Sequence, residues 1–121
     1  MFTVTVETTF EATHGLTMSG GIEEPLHNHN WVVRVAAGAE HLDDAGLGID
    51  FVELKALVVR VLEPLAGKCL GELPVFAGAN ASAENLTKYV YDRIEAELPT
   101  RLNLEFVEIM ESKGCWTKYR R

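Results

Sequence analysis

From Phe2 to Phe10 the chain alternates, with Phe2, Val4, Val6, Thr8 and Phe10 on one side and Thr3, Thr5, Glu7 and Thr9 on the other. A period of two, rich in β-branched residues, predicts a half-buried strand. A polar, glycine-bearing stretch follows, HGLTMSGGIEEPLH. A second alternating run then sets Trp31, Val33, Val35 and Ala37 against Val32, Arg34 and Ala36, predicting a strand that ends near Gly38. Beyond the turn GAEHLDDAGLG the period becomes helical: Phe51, Leu54, Leu57, Val58, Val61, Leu62 and Leu65 fall on one stripe. Asp50 is a natural N-cap, with Glu53 three residues later in a capping-box-like pattern, and Pro64 and Gly67 mark the end. The segment from Lys68 to about Ala81 reads as a long loop, a type of connection that usually carries function or an interface. A second helix is predicted from about Ala83 to Leu98, with Ser82 as N-cap and Pro99 as stop. Its apolar side is Leu86, Val90, Ile94 and Leu98, flanked by Tyr89. LNLEFVEIMES and CWTKY complete the chain as two strands. The order β-β-α-α-β-β predicts an α+β fold with two helices on one face of an antiparallel four-stranded sheet.

Composition narrows the function more than the fold. In 121 residues, 18 Asp and Glu outweigh 11 Lys and Arg, a formal charge of −7. Counterion release on a phosphate backbone needs clustered Lys and Arg, so no nucleic-acid role is expected. The basic tail of Lys118, Arg120 and Arg121 reads as a solvated terminus. A chain of this length folds as one domain, residues 1–121, and buries about two thirds of its unfolded surface, enough for a core without staples. No apolar run nears the ~20 residues of a membrane helix, and MFTVTVETTFEATH reads as free of a signal peptide. Cys69 and Cys115 stand far apart and form no CxxC, so two partly buried free thiols and a reduced cytoplasmic setting are expected. So small a sheet exposes its edges, and pairing with further copies would cover them. A homo-oligomer is therefore expected.

The sharpest chemical feature is His27-Asn28-His29. On a strand, residues two apart point to the same side, so the two imidazoles can address one ion. His14, just past the first strand, would join them if the first two strands form a hairpin. Three neutral imidazoles fit tetrahedral Zn²⁺ with a fourth position open, the mark of a catalytic rather than a structural site. Solvated surface histidines are the other reading of the same residues. His41 has no partner in the sequence and reads as a surface residue.

FEATH (Phe10–His14), PLHNHNW (Pro25–Trp31), GLGIDFVELK (Gly46–Lys55), ASAEN (Ala81–Asn85) and VEIMES (Val107–Ser112) occur in this order. In that set and order, over roughly Thr3 to Tyr119, the chain resembles the 6-pyruvoyl-tetrahydropterin synthase family, which includes the 6-carboxy-tetrahydropterin synthases of the queuosine pathway. The resemblance implies the tunnelling fold, whose subunits form ring-shaped trimers that stack into hexamers. It implies Zn²⁺ on His14, His27 and His29, and a dihydropterin substrate at a subunit interface. Glu111 matches the family's pterin anchor; a carboxylate can accept both parallel N–H donors of the pterin edge in a bidentate, charge-assisted pair. Ser82 falls where the family has a hydroxyl near the pterin, a position it would share with its role as helix cap.

The sequence departs from the family pattern at three places. The family's proton-transferring cysteine, four residues before HxH, is here Glu23, with Glu24 beside it. The central glycine of HxH is Asn28. The family's Asp-His pair after the first helix falls on Ala66 and Gly67. A branch of the family with glutamate for cysteine releases 6-hydroxymethyl-dihydropterin from dihydroneopterin triphosphate, and this sequence looks like that branch at Glu23. The implied function is a zinc-dependent lyase acting on 7,8-dihydroneopterin triphosphate or a relative, with Glu23, or Glu24, as proton-transfer group. The alternative is a homologue that binds zinc and pterin without turnover. Cys69, two residues past the missing pair, is a candidate substitute thiol.

Overall fold

A computed structural model describes residues 1–121. Four strands, β1 (Phe2–His14), β2 (His27–Ala39), β3 (Asn103–Ser112) and β4 (Cys115–Tyr119), form one antiparallel sheet in the order β1-β2-β3-β4. Helices α1 (Phe51–Leu62) and α2 (Ala83–Glu97) lie between β2 and β3 in sequence and pack on one face of the sheet. The alternation read from the sequence sets that face. Val6, Phe10, Trp31, Val33, Val35, Val107 and Ile109 are buried beneath the helices, while Thr3, Thr5, Glu7 and Thr9 stay exposed. Burial of this apolar face is the main favourable term in folding. Leu54, Val58, Leu86, Val90 and Ile94 supply the helical side of a single cluster of 27 buried residues, so the chain has one core.

Both helices start at the predicted caps, although Glu53 makes no bond back to Asp50 to complete a capping box. The Asp50 carboxylate accepts from the Val52 amide at 2.7 Å and the Ser82 hydroxyl oxygen accepts from the Asn85 amide at 3.1 Å, each satisfying a free donor of the first turn. Phe51 departs from the predicted apolar stripe, being 64% exposed. It sits at the first position of α1, before the helix has turned toward the sheet. The stretch from Lys68 to Ala81 is not a plain loop. It holds two 3₁₀ turns, Leu70–Glu72 and Pro74–Phe76, and pins itself to the core through buried Leu70, Phe76 and Ala81. Nor is the basic tail simply solvated. Arg121 pairs with Glu95 and Asp92 of α2 and lies over the Tyr91 ring, while Lys118 lies over Phe106. Cys115 is exposed and Cys69 half-buried, so only one of the two thiols is sheltered.

Two register shifts mark β3. One lies between Ala36 and Ala37 in its pairing with β2. The other separates the pairs Met110–Trp116 and Ser112–Cys115, which leaves Glu111 as the extra residue of a bulge at the β3–β4 end. Bulges re-aim side chains and recur next to functional sites.

Leu54 is fully buried and Lys55, its neighbour on α1, is exposed. Leu54→Ala is expected to cost about 2–5 kcal/mol and Lys55→Ala less than about 0.5 kcal/mol, read as urea unfolding midpoints at constant m-value.

Candidate metal centre

The first hairpin pairs His14 with His27 directly and Ala12 with His29. Because side chains alternate, His14, His27 and His29 share the core face at the end of the sheet where β1 leaves and β2 enters. Glu111, at the β3 bulge, reaches the same place. One ligand atom from each of these four residues lies within 4.8 Å of the others. The rings of His14 and His27 are 4.6 Å apart, those of His27 and His29 4.6 Å, and those of His14 and His29 5.3 Å. Trp31 closes the floor, 4.9 Å from His14 and 5.4 Å from His29, its indole N–H donating to the Ala12 carbonyl.

Backbone carbonyls assign the tautomers of two rings. His14, 1% exposed, has Nδ1 2.8 Å from the Ala81 carbonyl, and His27 has Nδ1 2.9 Å from the Pro25 carbonyl. A carbonyl only accepts, so each Nδ1 carries a proton, and in the neutral ring the Nε2 lone pair faces the centre. This is how metal-ligating histidines are commonly oriented. Nε2 of His14 and Nε2 of His29 are both buried without a hydrogen-bond partner. Glu111 Oε1 lies 2.8 Å from His14 Nε2. A carboxylate oxygen gathered with three imidazole nitrogens is a set of atoms that one shared cation would satisfy. The donor set of three imidazoles and a carboxylate suits zinc. Burial lowers the His29 pKa below its ordinary value; Glu111 opposes the shift, and His27 and His14 add to it. Burial thus favours the neutral form of His29, the form that binds metal.

The loop from Gly15 to Leu26 is drawn over this end of the sheet. Thr17 gives its amide to Asn80 Oδ1 at 2.8 Å and takes Asn80 Nδ2 on its carbonyl at 2.9 Å, while Asn85 Nδ2 holds the Asn80 carbonyl at 2.8 Å. Glu24 is tied to Leu16 twice, its amide donating to the Leu16 carbonyl at 2.7 Å and its carboxylate accepting the Leu16 amide at 3.3 Å. A Cβ on Gly15 would stand 2.8 Å from the Glu24 carbonyl oxygen, so only glycine lets the two segments meet. Glu24 comes within 3.8 Å of His27 Nε2 and is half-buried, whereas Glu23 is exposed and pairs through its backbone with Thr17. Ser82 caps α2, one residue from the carbonyl that orients His14. Cys69 bridges Thr13, the neighbour of His14, through its backbone. Ala66 and Gly67 sit exposed in the turn after α1, and His41 is exposed and apart from the cluster.

The profile of the family described as 6-pyruvoyl tetrahydropterin synthase matches residues 3–121. The chain belongs to the 6-pyruvoyl tetrahydropterin synthase family. A 6-pyruvoyl tetrahydrobiopterin synthase of Dictyostelium discoideum is 28% identical over 96 residues, 78% of this chain and 70% of that protein. Among solved structures, the Caenorhabditis elegans 6-pyruvoyl tetrahydropterin synthase superposes with a TM-score of 0.80 at 23% identity, covering 100% of this chain and 97% of its own. The Plasmodium vivax synthase does so with a TM-score of 0.76 at 19% identity, covering 99% and 97%. These two likenesses show the shared fold. The Plasmodium vivax protein has also been solved with a catalytic glutamate replaced by alanine and by cysteine.

The three histidines stood out by their spacing, whereas Glu111 entered only through the family resemblance, as a pterin anchor, and its place beside the imidazoles had no signal in the sequence. The carbonyls of Ala81 and Pro25 left no signal in it, because any residue can present a carbonyl. The lowered pKa of His29 makes a prediction for the metal-free protein. At a pH just below 6.5, the ordinary histidine value, the unfolded chain binds a proton on His29 that the folded chain refuses. Stability is therefore full above that value and falls as pH drops toward the lowered one. The urea midpoint should decline from about pH 7.5 to 5.5, and His29→Asn should flatten the decline.

Proposed function

We propose that this protein is a zinc-dependent pterin lyase acting on 7,8-dihydroneopterin triphosphate or a closely related dihydropterin, by elimination from or cleavage of its side chain. The observation that carries the reading is the convergence of His14, His27 and His29 with Glu111, two of the imidazole nitrogens being buried and unpartnered. His14, His27 and His29 would hold the ion, which when bound supplies Lewis acidity toward the side-chain hydroxyls. Glu111 accepts the two parallel N–H donors of the pterin edge and fixes the ring. The Ser82 oxygen caps α2, which leaves its hydroxyl hydrogen to donate to the heterocycle.

A carboxylate of the Glu23-Glu24 pair moves the protons. Proximity favours Glu24, which stands at the His27 edge of the centre and is held there by Leu16, while Glu23 faces solvent. A catalytic glutamate in the Plasmodium vivax protein supports a carboxylate as a workable choice on this fold. The unpaired outer edges of β1 and β4 fit a ring of identical subunits, a trimer or hexamer, and the free thiols fit a cytoplasmic setting.

A second reading rests on Ala66 and Gly67, which leave the turn after α1 with no titratable side chain at either position. Under it, the protein binds zinc and pterin without turnover. Zinc-loaded protein incubated with dihydroneopterin triphosphate and followed by reverse-phase separation of pterins decides between the two: a new pterin supports the lyase, and binding without product supports the second reading. In the lyase, Glu24→Gln should lower turnover about 10²–10⁴-fold with pterin binding kept, as expected for loss of a general acid–base. Glu23→Gln should change it little; the reverse result would move the role to Glu23.

A further inference from the structure

The Glu111 carboxylate has more than one partner to choose from. It is the extra residue of the β3–β4 bulge and its side chain is 32% exposed, so neighbours do not lock it. Its close contact is Nε2 of His14, 2.8 Å away. A carboxylate oxygen of Glu111 lies among the three imidazole nitrogens as a fourth member of the set, all four ligand atoms within 4.8 Å of one another. The carboxylate that is to accept a pterin edge thus starts out on the metal side of the site.

We infer that Glu111 is an exchangeable fourth ligand: in the resting protein it closes the shell begun by His14, His27 and His29, and it leaves the metal when a heterocycle with two parallel N–H donors binds. This rests on the reading of the site as a zinc and pterin centre. No covalent bond of the substrate changes in the exchange. Glu111 trades one electrostatic partner for another, and the vacated position passes to an oxygen of the ligand or to water. A pterin whose side chain carries hydroxyls can refill that position, so the shell stays complete. A pterin without a side chain removes Glu111 and brings no side-chain hydroxyl to take its place. Binding of a bare pterin and of metal must then oppose each other, and by linkage each weakens the other by the same factor.

The test uses the full chain loaded with Co²⁺, whose visible absorption reports its ligands, and unsubstituted pterin as the probe. Glu111→Gln should weaken Zn²⁺ binding at least about tenfold, measured by competition with a chromophoric chelator, the lower end of what outer-shell partners alone cost. It should also alter the cobalt bands. In the unmutated protein, unsubstituted pterin should shift the cobalt bands toward those of Glu111→Gln and lower Zn²⁺ affinity. That second arm needs no variant and so survives any failure of Glu111→Gln to fold. Unchanged cobalt bands and unchanged affinity in folded Glu111→Gln would overturn the exchange, as would pterin that binds without moving the bands. In both of those cases the zinc and pterin reading stands. Failure of the unmutated protein to bind Co²⁺ or Zn²⁺ would overturn both.

Discussion

The site depends on the register between β1 and β2. With His14 opposite His27 and Ala12 opposite His29, three imidazoles occupy neighbouring places on one face of one hairpin. A slip by one residue would send a whole strand's side chains to the other face, dispersing the cluster and exposing Val6, Phe10 and Ala12. The apolar core therefore sets the geometry of the polar site. Burial of Phe10 against Trp31, their rings stacked with centroids 6.3 Å apart, fixes the register, and the histidines lie a few residues further along the same strands.

Register alone brings the rings together but does not turn them. The Ala81 and Pro25 carbonyls do that, and they come from different places: one precedes α2, the other ends the loop after β1. The centre is thus assembled by three parts of the chain, the hairpin, the entry to α2 and the β3 bulge. Each holds its residue for a local reason: alternation for the histidines, the α2 cap for Ala81, and the unpaired bulge position for Glu111.

The fold was largely legible in the sequence because its elements follow simple periods. Alternation carries the middle of β1 and β2, but both strands run on through the histidines, to His14 and from His27, where the sequence reads as loop, and a stripe of helical period with Asp50 and Ser82 as caps carries the helices. Periodicity misplaced Phe51, since spacing does not say where a helix first meets its sheet. It also passed over the order between Lys68 and Ala81, where short turns hang on single buried side chains, Leu70 and Phe76, and leave no repeat. At the site, residue types with rare chemistry stood out and supporting backbone did not. Which of two adjacent glutamates faces the histidines depends on the twist of one irregular loop, and Leu16 settles it by binding Glu24 at both its amide and its carboxylate.

The same loop has an unequal division of labour. Its two feet are fastened, by Asn80 at Thr17 and by Leu16 at Glu24, and a close backbone approach at Gly15 leaves no slack. Its tip is different: Gly20 and Gly21 both have positive φ, with open space where a Cβ would be. Length variation can accumulate at the tip while the feet hold the acidic residue against the imidazoles. The rim above the histidine cluster is thus the part of this architecture most open to remodelling, and a lineage could alter what reaches the cluster without disturbing one of its imidazoles.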